Sequence, residues 1–320
     1  MKNLPNVLIS VLNWNNASDT IRCIHSLKKL TYSNYSIVVV DNGSKDHSAE
    51  KIQKEFPEIH LIKSAQNLGY AGGNKLACDF GNDKGYELFW IVNNDSVIQQ
   101  DCLENLVSAY QQKGEGLYGG ISLKEDNETI SFSGGFELDT NGKVIFGNYS
   151  IHSGKPKSAV FQNETVREMA DVNGACMMIP YSIIKKYGFI DDSFFLYGEE
   201  LDYCFKLRKQ AGIKSFLIST AVVKHEGSTS LNKNENLKKV KTYYLTRNYS
   251  YFRHKYELKT KAEVMRSYNY SLVQILAIFL LKKINSKNYF LATESNAERL
   301  GLYDFFIGKT GKVFEPNDYI

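Results

Sequence analysis

The feature that most constrains the fold is a short apolar run that ends abruptly in polar side chains. Phe89–Val92 is entirely apolar, and Asn93, Asn94 and Asp95 follow directly. Runs of this length bounded by polar residues are typical of strands buried in a parallel sheet. In open α/β sheets, ligands bind beyond the carboxyl ends of such strands. An Asx-turn explains the same residues without a ligand, so this stretch alone leaves both interpretations open.

Two earlier runs repeat the pattern. The first, Val7–Leu12, ends in Asn13, and the second, Ile37–Val40, ends in Asp41. Apolar residues with helical spacing follow each run, so strands alternate with helices and predict βαβ units with a mostly parallel sheet. Right-handed crossovers place the polar ends on the same edge of that sheet. We therefore expect Asn13, Asp41 and the Asn93–Asp95 group to converge.

A further strand is predicted at Ile59–Ile62, and glycines follow it at Gly69, Gly72 and Gly73. They would let the backbone approach a ligand closely. The chain has neither a Gly-x-Gly-x-x-Gly motif after its first strand nor a Gly-Lys-Ser/Thr loop, which disfavours a dehydrogenase-type or P-loop nucleotide site. Residues 114–165 are rich in Gly, Ser, Asn and Thr, and they predict a smaller antiparallel sheet beside the main one.

Composition excludes several classes of protein. The 320 residues are 43% hydrophobic, enough for one large domain or two closely packed ones, and the net charge of +4 disfavours a nucleic-acid partner. The 5 cysteines are widely spaced without a Cys-x-x-Cys pair, which fits a reducing cytoplasm better than disulfides or zinc. We expect a cytoplasmic protein, because the N-terminus lacks a signal-peptide pattern and the apolar run that contains Leu276–Leu281 is too short to span a bilayer.

An ordered set of motifs covers most of residues 5–230. The motifs are Leu12-Asn13-Trp14-Asn15, Val39-Val40-Asp41-Asn42-Gly43-Ser44, Asn67-x-Gly69 with Asn74, Asn93-Asn94-Asp95, Val172-Asn173-Gly174-Ala175, Phe195–Asp202 and His225-Glu226-Gly227-Ser228. The set resembles family 2 glycosyltransferases, the inverting enzymes of the GT-A fold, and is most similar to the branch that includes bacterial rhamnosyltransferases of surface-polysaccharide assembly.

The resemblance implies a GT-A, Rossmann-like fold and a metal-dependent inverting transferase. The donor would be a nucleotide-diphospho-sugar, either a dTDP- or a UDP-sugar, with dTDP-rhamnose as one candidate. The acceptor would be a hydroxyl of a glycan or of a lipid-linked sugar in bacterial surface polysaccharide synthesis. The cofactor would be a divalent cation, Mg²⁺ or Mn²⁺.

The same resemblance implies roles for individual residues. Asp41 would accept the imide N–H of uracil or thymine. Asn93 stands where the family's Asp-x-Asp motif begins with Asp, and it would still bond the ribose. Asp95 and His225 would contact the metal, and the alternative for His225 is a loop histidine with no ligand role. The remaining donor-binding positions are Asn13, Asn67, Gly69, Asn94, Gly174 and Arg247.

Glu199-Glu200-Leu201-Asp202 follows an aromatic run and predicts the start of a helix. Inverting transfer needs a base that takes the proton of the acceptor hydroxyl. The base of the family aligns with Glu200, and Glu199 and Asp202 could support it. All three acids could instead simply favour a helix N-terminus.

The composition shifts after residue 230. Basic and aromatic residues interleave from Lys233 to Tyr270, and the apolar stretch Leu272–Leu281 precedes Lys282-Lys283. We therefore predict a catalytic domain over 1–230, with a nucleotide-binding half (1–112) and an acceptor-binding half (113–230), and a helical C-terminal segment over 231–320. That segment fits a contact with a membrane surface and fits a helix covering the core about equally well.

Two other functions stay open. A nucleotidyltransferase also uses an α/β sheet and acidic metal ligands, but it should carry a glycine- and basic-rich phosphate loop after the first strand, where this chain has Asn13-Trp14-Asn15. A noncatalytic nucleotide-sugar-binding protein is the second alternative, in which Asn93 would mark a decayed site.

Overall fold

The computed structural model describes residues 4–146, 150, 152–225, 234–268 and 293–315, and of His225 it describes the backbone alone. The chain divides into two compact units. The sheet unit comprises residues 1–68, 72–190 and 200–227, and the helical unit comprises residues 69–71, 191–199 and 228–320. Two short pieces of the first 230 residues thus group with the C-terminal residues. The predicted division of domains at residue 230 stays a prediction.

Strands of the sheet unit form one large sheet and one small one. The strands are β1 (Val7–Asn13), β2 (Tyr35–Asp41), β3 (His60–Lys63), β4 (Leu88–Asn93), β5 (Ser96–Ile98), β6 (Leu117–Leu123), β7 (Ile130–Phe132), β8 (Glu137–Leu138), β9 (Val144–Ile145), β10 (Val166–Met169), β11 (Cys176–Pro180) and β12 (Ser215–His225). Only β8 and β9 lie outside the large sheet among these strands, and they pair with each other.

The large sheet is mostly parallel. Its order is β10-β12-β6-β11-β4-β1-β2-β3, with β5 beside β12 and β7 beside β6. Strands β3, β2, β1 and β4 run parallel, and β6 and β12 share their direction because β11 lies antiparallel between β4 and β6. The predicted α/β architecture is confirmed. Part of the stretch that predicted only an antiparallel excursion, β6, instead joins the main sheet parallel to β12.

Helices follow the strands as the alternation predicted. The helices are α1 (Ala17–Leu27), α2 (Ser48–Glu55), α3 (Gly69–Gly81), α4 (Cys102–Lys113), α5 (Lys157–Phe161), α6 (Tyr181–Tyr187), α7 (Glu199–Ala211), α8 (Glu235–Lys255), α9 (Lys261–Ser267) and α10 (Glu294–Phe306), with a 3₁₀ turn at Asp192–Phe194. The first helix begins at Ala17, because the side chain of Asn16 caps it by accepting the N–H of Asp19.

The core of the sheet unit lies between the sheet and helices α1, α2 and α4. Ile24 and Leu27 on the apolar stripe of α1 pack in one cluster with Trp90 and Val92 of β4. This packing makes β4 a buried central strand and leaves its polar end, after Val92, at the edge of the sheet. Burial of β4 thus explains the apolar run Phe89–Val92.

The helical unit has a separate core between α8 and α10. Val240, Tyr243 and Tyr244 of α8 cluster with Ala297 and Leu300 of α10. Among the described residues, no helix combines the length and the apolar character needed to cross a membrane. The predicted apolar stretch Leu272–Leu281 and the following Lys282-Lys283 lie outside the described residues.

Candidate functional site

The ends of three neighbouring parallel strands meet at one edge of the sheet. Asn13 at the end of β1 pairs in register with Asp41 at the end of β2. On the other side of β1, Leu12 pairs with Asn93 at the end of β4. The predicted convergence of these polar strand ends is confirmed. It follows from the parallel order, since residues that end parallel strands share one edge.

A continuous chain of hydrogen bonds joins these strand ends. The amide of Asn94 donates to the hydroxyl of Thr20 (2.9 Å), which donates to Oδ1 of Asn13 (2.7 Å). Nδ2 of Asn13 then donates to Asp41 (2.7 Å) and to the hydroxyl of Ser44 (3.1 Å). Asn13 is fully buried and holds Asp41 in place, and its implied contact with the donor stays a prediction. The amide of Asn94 likewise holds Thr20 in place through its hydrogen bond.

Thr20 is the member of this chain that sequence reasoning missed. It lies on the apolar face of α1 and is fully buried, although its side chain is polar. A buried hydroxyl needs a hydrogen-bond partner, and Thr20 finds one at the end of β1. The available signal was a threonine on the apolar face of the first helix, seven residues after Asn13.

Asp41 is held from two sides and is only 4% exposed. Its Oδ1 accepts from Asn13, and its Oδ2 accepts the backbone N–H of Ser44 (3.2 Å). A carboxylate offers about four lone-pair positions on its two oxygens, so Asp41 can accept a further donor while these two bonds persist. An acceptor held in this way suits an imide N–H.

The turn after Asp41 packs against the turn that contains Asn67. Gly43 has φ +74°, and a Cβ there would lie 2.5 Å from the carbonyl carbon of Gln66, so only glycine fits. Nδ2 of Asn42 donates to Oδ1 of Asn67 (3.1 Å), and Oδ1 of Asn42 accepts the N–H of Leu68 (2.9 Å). Asn67 thus fixes the turn that follows β3, next to the end of β2.

Gly69 belongs to the helical unit and has a packing role there. It has φ +76°, and a Cβ would collide with the carbonyl oxygen of Phe195. The same carbonyl accepts the N–H of Tyr70 (2.9 Å), one of the donors at the start of α3 that have no partner within the helix. This contact explains the glycine independently of the donor-binding role that the resemblance implies.

The turn that contains Gly174 lies against the end of β4. The backbone N–H of Asn93 donates to the carbonyl of Ala175 (3.2 Å). The side chain of Asn173 in turn accepts the N–H of Ala175 (2.9 Å) and closes the turn on itself. The stretch 171–175 is therefore a loop ahead of β11. It brings a buried glycine backbone beside Asn93.

Asp95 lies one residue before β5, and this strand connects it to His225. The backbone of His225 pairs with Ser96, the residue after Asp95. The charge of Asp95 also reaches α1, where burial and then that charge raise the pKa of the Cys23 thiol. Within the residues whose side chains are described, no group of three or more His, Cys, Asp or Glu forms a metal centre. One carboxylate at this edge fits a cation whose other ligands come from a diphosphate and water.

Glu200 lies in the first turn of α7. Removal of its carboxyl from water raises the pKa of Glu200 above the ordinary value of a glutamate. Burial, the charge of Asp171 and the charge of Glu200 raise the pKa of Cys204 to about 12, so both acids lie near that thiol. Asp171 accepts the backbone N–H groups of Gly135 and Phe136 (3.2 and 3.1 Å) and closes the loop before β11.

The two acids beside Glu200 are more deeply buried. Glu199 is 2% exposed and Asp202 is 1% exposed. Two residues correspond to about 200° around a helix, so Asp202 projects from the face of α7 opposite to Glu200. Glu200 as a whole residue is half-buried, although burial shields its carboxyl group from water.

Arg247 lies inside the helical unit. It is fully buried, and its guanidinium donates to the carbonyls of Phe194 (2.9 Å) and Gly311 (2.7 Å) and to Oδ1 of Asn248 (2.8 Å). The donor-binding role that the resemblance implies for Arg247 stays a prediction. Its planar array of N–H groups is used on backbone carbonyls, which is a task that arginine performs better than lysine.

The mostly parallel sheet with polar strand ends gathered at one edge is a GT-A fold, as in the solved glycosyltransferase structure described below. The chain belongs to glycosyl transferase family 2, whose model matches residues 7–188.

Two relatives in sequence are named as sugar transferases. The low-salt glycan biosynthesis hexosyltransferase Agl10 of Haloferax volcanii is 24% identical over 208 residues, 65% of this chain and 63% of that protein. The chain thus covers less than two thirds of that relative. The N-acetylglucosaminyl-diphospho-decaprenol L-rhamnosyltransferase of Mycobacterium tuberculosis is 20% identical over 226 residues, 65% of this chain and 72% of that protein.

A solved structure shares the fold over nearly the whole chain. The mannosyltransferase PcManGT of Pyrobaculum calidifontis, in complex with GDP-Man and Mn²⁺, superimposes with a TM-score of 0.56 at 12% identity. The alignment covers 96% of this chain and 89% of that one. At this identity the likeness concerns the fold.

Proposed function

We propose that this protein transfers a sugar with inversion from a dTDP- or UDP-sugar, with dTDP-rhamnose as the first candidate, to a hydroxyl of a glycan or lipid-linked acceptor in surface polysaccharide synthesis. The observation that carries the proposal is the hydrogen-bonded chain from Asn94 through Thr20 and Asn13 to Asp41. It joins the place where a diphosphate would meet a cation to the place where a pyrimidine would be read. A rhamnosyltransferase and a hexosyltransferase among the relatives support the same class of reaction.

The nucleoside would be recognised by the ends of β2 and β4. Asp41 would accept the imide N–H of uracil or thymine, because its carboxylate is held by Asn13 and Ser44 and keeps free lone pairs. Asn93 would bond a ribose hydroxyl with its side-chain amide. The backbone around Gly174 lies beside Asn93 and would border the sugar.

The diphosphate would be bound near Asp95. Asp95 would hold the divalent cation, Mg²⁺ or Mn²⁺, together with His225 and the phosphate oxygens. A cation bound there neutralises the charge that develops on the departing nucleoside diphosphate. Asn93 in place of an acid leaves the chain with less negative charge at this edge, so the diphosphate itself completes the site.

Glu200 would act as the base. Its carboxylate takes the proton of the acceptor hydroxyl while that oxygen forms a bond to the anomeric carbon and the bond from that carbon to the diphosphate breaks. One displacement inverts the configuration and needs no covalent nucleophile. The raised pKa of Glu200 brings its basicity closer to that needed near neutral pH.

A lipid-linked acceptor would place the protein in the cytoplasm, at the inner face of the cell membrane. The part of the described chain that suits this location is α8, where Lys238, Lys239 and Lys241 lie beside tyrosines. Lys238 pairs with Glu235 on the same helix (2.6 Å), and Lys241 lies over the ring of Tyr197.

The test of this function begins with binding and proceeds to chemistry. Titration calorimetry with dTDP and UDP, with and without Mn²⁺, should show binding that Mn²⁺ strengthens. A screen of dTDP- and UDP-sugars for slow hydrolysis should then identify the donor. A nucleotidyltransferase would instead release diphosphate from a nucleoside triphosphate, and a noncatalytic binding protein would bind the donor without hydrolysing it.

Replacement of Asp41 tests recognition of the base. Asp41→Asn is expected to raise the Kd for UDP or dTDP by about 10- to 100-fold, since a hydrogen bond to a charged group contributes about 1.5–3 kcal/mol. The amide keeps one acceptor oxygen and cannot serve Asn13, Ser44 and an imide N–H together. Calorimetry measures the change, and Asp83→Asn, an exposed aspartate after α3, is the matched control. Equal affinities for the three proteins would refute the role of Asp41.

The raised pKa of Glu200 predicts the pH dependence of transfer. The base must be deprotonated, so kcat should fall as pH decreases through the raised pKa, and the midpoint of that acid limb should lie above the ordinary glutamate value of 4.5. The profile is measured at saturating donor, with circular dichroism at each pH to show that the protein stays folded. The limb should vanish from the residual activity of Glu200→Gln. A midpoint at or below 4.5 would contradict the assignment.

A further inference from the structure

We infer that Arg247 and Asn248 are positioning residues for the reaction: they bind the backbone carbonyls of residues 194–197 and thereby set where helix α7 begins and where Glu200 points. The inference rests on the proposed function, because it assigns Glu200 as the base. It assigns a function to a buried Arg-Asn pair of the helical unit.

The backbone just before α7 is strained. Phe195 and Tyr197 both have φ of 67°, in the left-handed region that side chains with a Cβ rarely adopt, and Gly198 has φ of 89°. A residue with a Cβ in this conformation is energetically unfavourable and persists only where the surroundings hold it. Two bulky aromatic residues in this conformation within three positions therefore require an external restraint.

Asn248 and Arg247 supply that restraint, and we call this pair of side chains the clamp. Nδ2 of Asn248 lies 2.9, 2.7 and 2.9 Å from the carbonyl oxygens of Phe194, Leu196 and Tyr197. The guanidinium of Arg247 donates to the same carbonyl of Phe194 (2.9 Å). The two side chains orient each other, because Nε of Arg247 donates to Oδ1 of Asn248 (2.8 Å).

The pair is itself fixed inside the helical unit. Arg247 is fully buried and Asn248 is 1% exposed, and Arg247 also donates to the carbonyl of Gly311 (2.7 Å). The N–H of Gly311 donates back to the carbonyl of Ser193 (2.6 Å). A buried amide with three carbonyls around it has no freedom to rotate without losing hydrogen bonds, so the segment before α7 has one backbone conformation.

The restrained segment leads directly into the base. Helix α7 begins at Glu199, the residue after Gly198, and Glu200 is its second residue. The dihedral angles of residues 195–198 therefore decide the direction in which α7 starts, and with it the place of the Glu200 carboxylate. Misplacing a catalytic group by about 1 Å costs on the order of 100-fold in rate. Restraint of this segment is thus a requirement of catalysis.

The experiment uses the full-length protein with Asn248→Asp and Arg247→Lys. The first change replaces an N–H donor by an oxygen that faces three carbonyls, and the second keeps the charge but loses the planar array of donors. Asn236→Asp, at an exposed asparagine of the same helix, is the matched control. For both clamp variants we expect kcat to fall about 10- to 100-fold with the donor KM within about twofold of the wild type. Hydrogen exchange of residues 194–201 should become faster, while β1 keeps its protection.

The outcomes distinguish a failure of the clamp from a failure of the proposed function. Unchanged exchange over residues 194–201 in both variants would overturn the clamp. Faster exchange with an unchanged kcat would overturn its link to the base, and a fall in kcat matched by a weaker donor KM would show that the residues act on donor binding instead. An inactive wild-type protein would overturn the proposed function, and hydrogen exchange would still decide whether the clamp exists. Arg247→Lys keeps the inference testable if Asn248→Asp fails to fold.

Discussion

Glu200→Gln is expected to lower kcat by about 10²- to 10⁴-fold, the usual contribution of general acid–base catalysis, while the Kd for UDP or dTDP stays within about twofold. The amide has nearly the shape of the carboxylate but cannot take a proton from the acceptor hydroxyl. The burial that raises the pKa of Glu200 also favours the neutral replacement, so the folded state should tolerate it. Single-turnover transfer and calorimetry on the same preparation measure the two quantities.

A matched control makes the result specific. Glu125→Gln changes an exposed glutamate in the turn after β6 by the same chemistry and should leave kcat unaltered. Full activity of Glu200→Gln would remove the assignment of the base. An equal loss of donor affinity would move Glu200 from proton transfer to donor binding.

Asp95→Asn is expected to lower kcat/KM by about 10²- to 10³-fold and to abolish the strengthening of UDP or dTDP binding by Mn²⁺. A neutral amide is a weak ligand for a hard cation, and within the described side chains no group of three or more His, Cys, Asp or Glu stands in for it. Binding of uridine or thymidine, which have no phosphate, should stay unchanged because Asp41 remains held by Asn13 and Ser44. Calorimetry with the nucleoside and the nucleoside diphosphate, each with and without Mn²⁺, separates the two contributions.

Asp101→Asn serves as the control for this change. Asp101 is an exposed aspartate six residues later, at the start of α4, and its replacement removes the same charge. Both proteins should melt at similar temperatures. Retention of the Mn²⁺ effect in Asp95→Asn would mean that the cation is held elsewhere, and metal binding at the end of β4 would have to be abandoned.

The strand ends could be predicted because their signals are local. An apolar run that stops at Asn13, Asp41 or Asn93 is visible within ten residues, and parallel order then dictates that the three ends share one edge. The strand β6 could not be placed in the same way. It pairs with β12, about one hundred residues later, and no local periodicity records a pairing over that distance.

Side-chain partners were harder to predict than elements. Thr20 joins the hydrogen-bonded series because its side of α1 packs against the end of β1. A hydroxyl on a helix does not by itself indicate which strand it will contact. The family resemblance implied a contact between Arg247 and the donor, and that contact stays a prediction. The burial of Arg247 beside Asn248 and three backbone carbonyls is a property of the packed helical unit.

By itself the sequence determined the alternation of strands and helices, the family and the convergence of Asn13, Asp41 and Asn93–Asp95, because each depends on short-range pattern and on the fixed handedness of βαβ units. Only the tertiary structure decided that residues 191–199 group with the C-terminal helices, that Arg247 and Asn248 bind their carbonyls, and that Thr20 links two strand ends. The physical reason is that buried polar groups must find partners wherever packing brings them, and those partners lie far away along the chain.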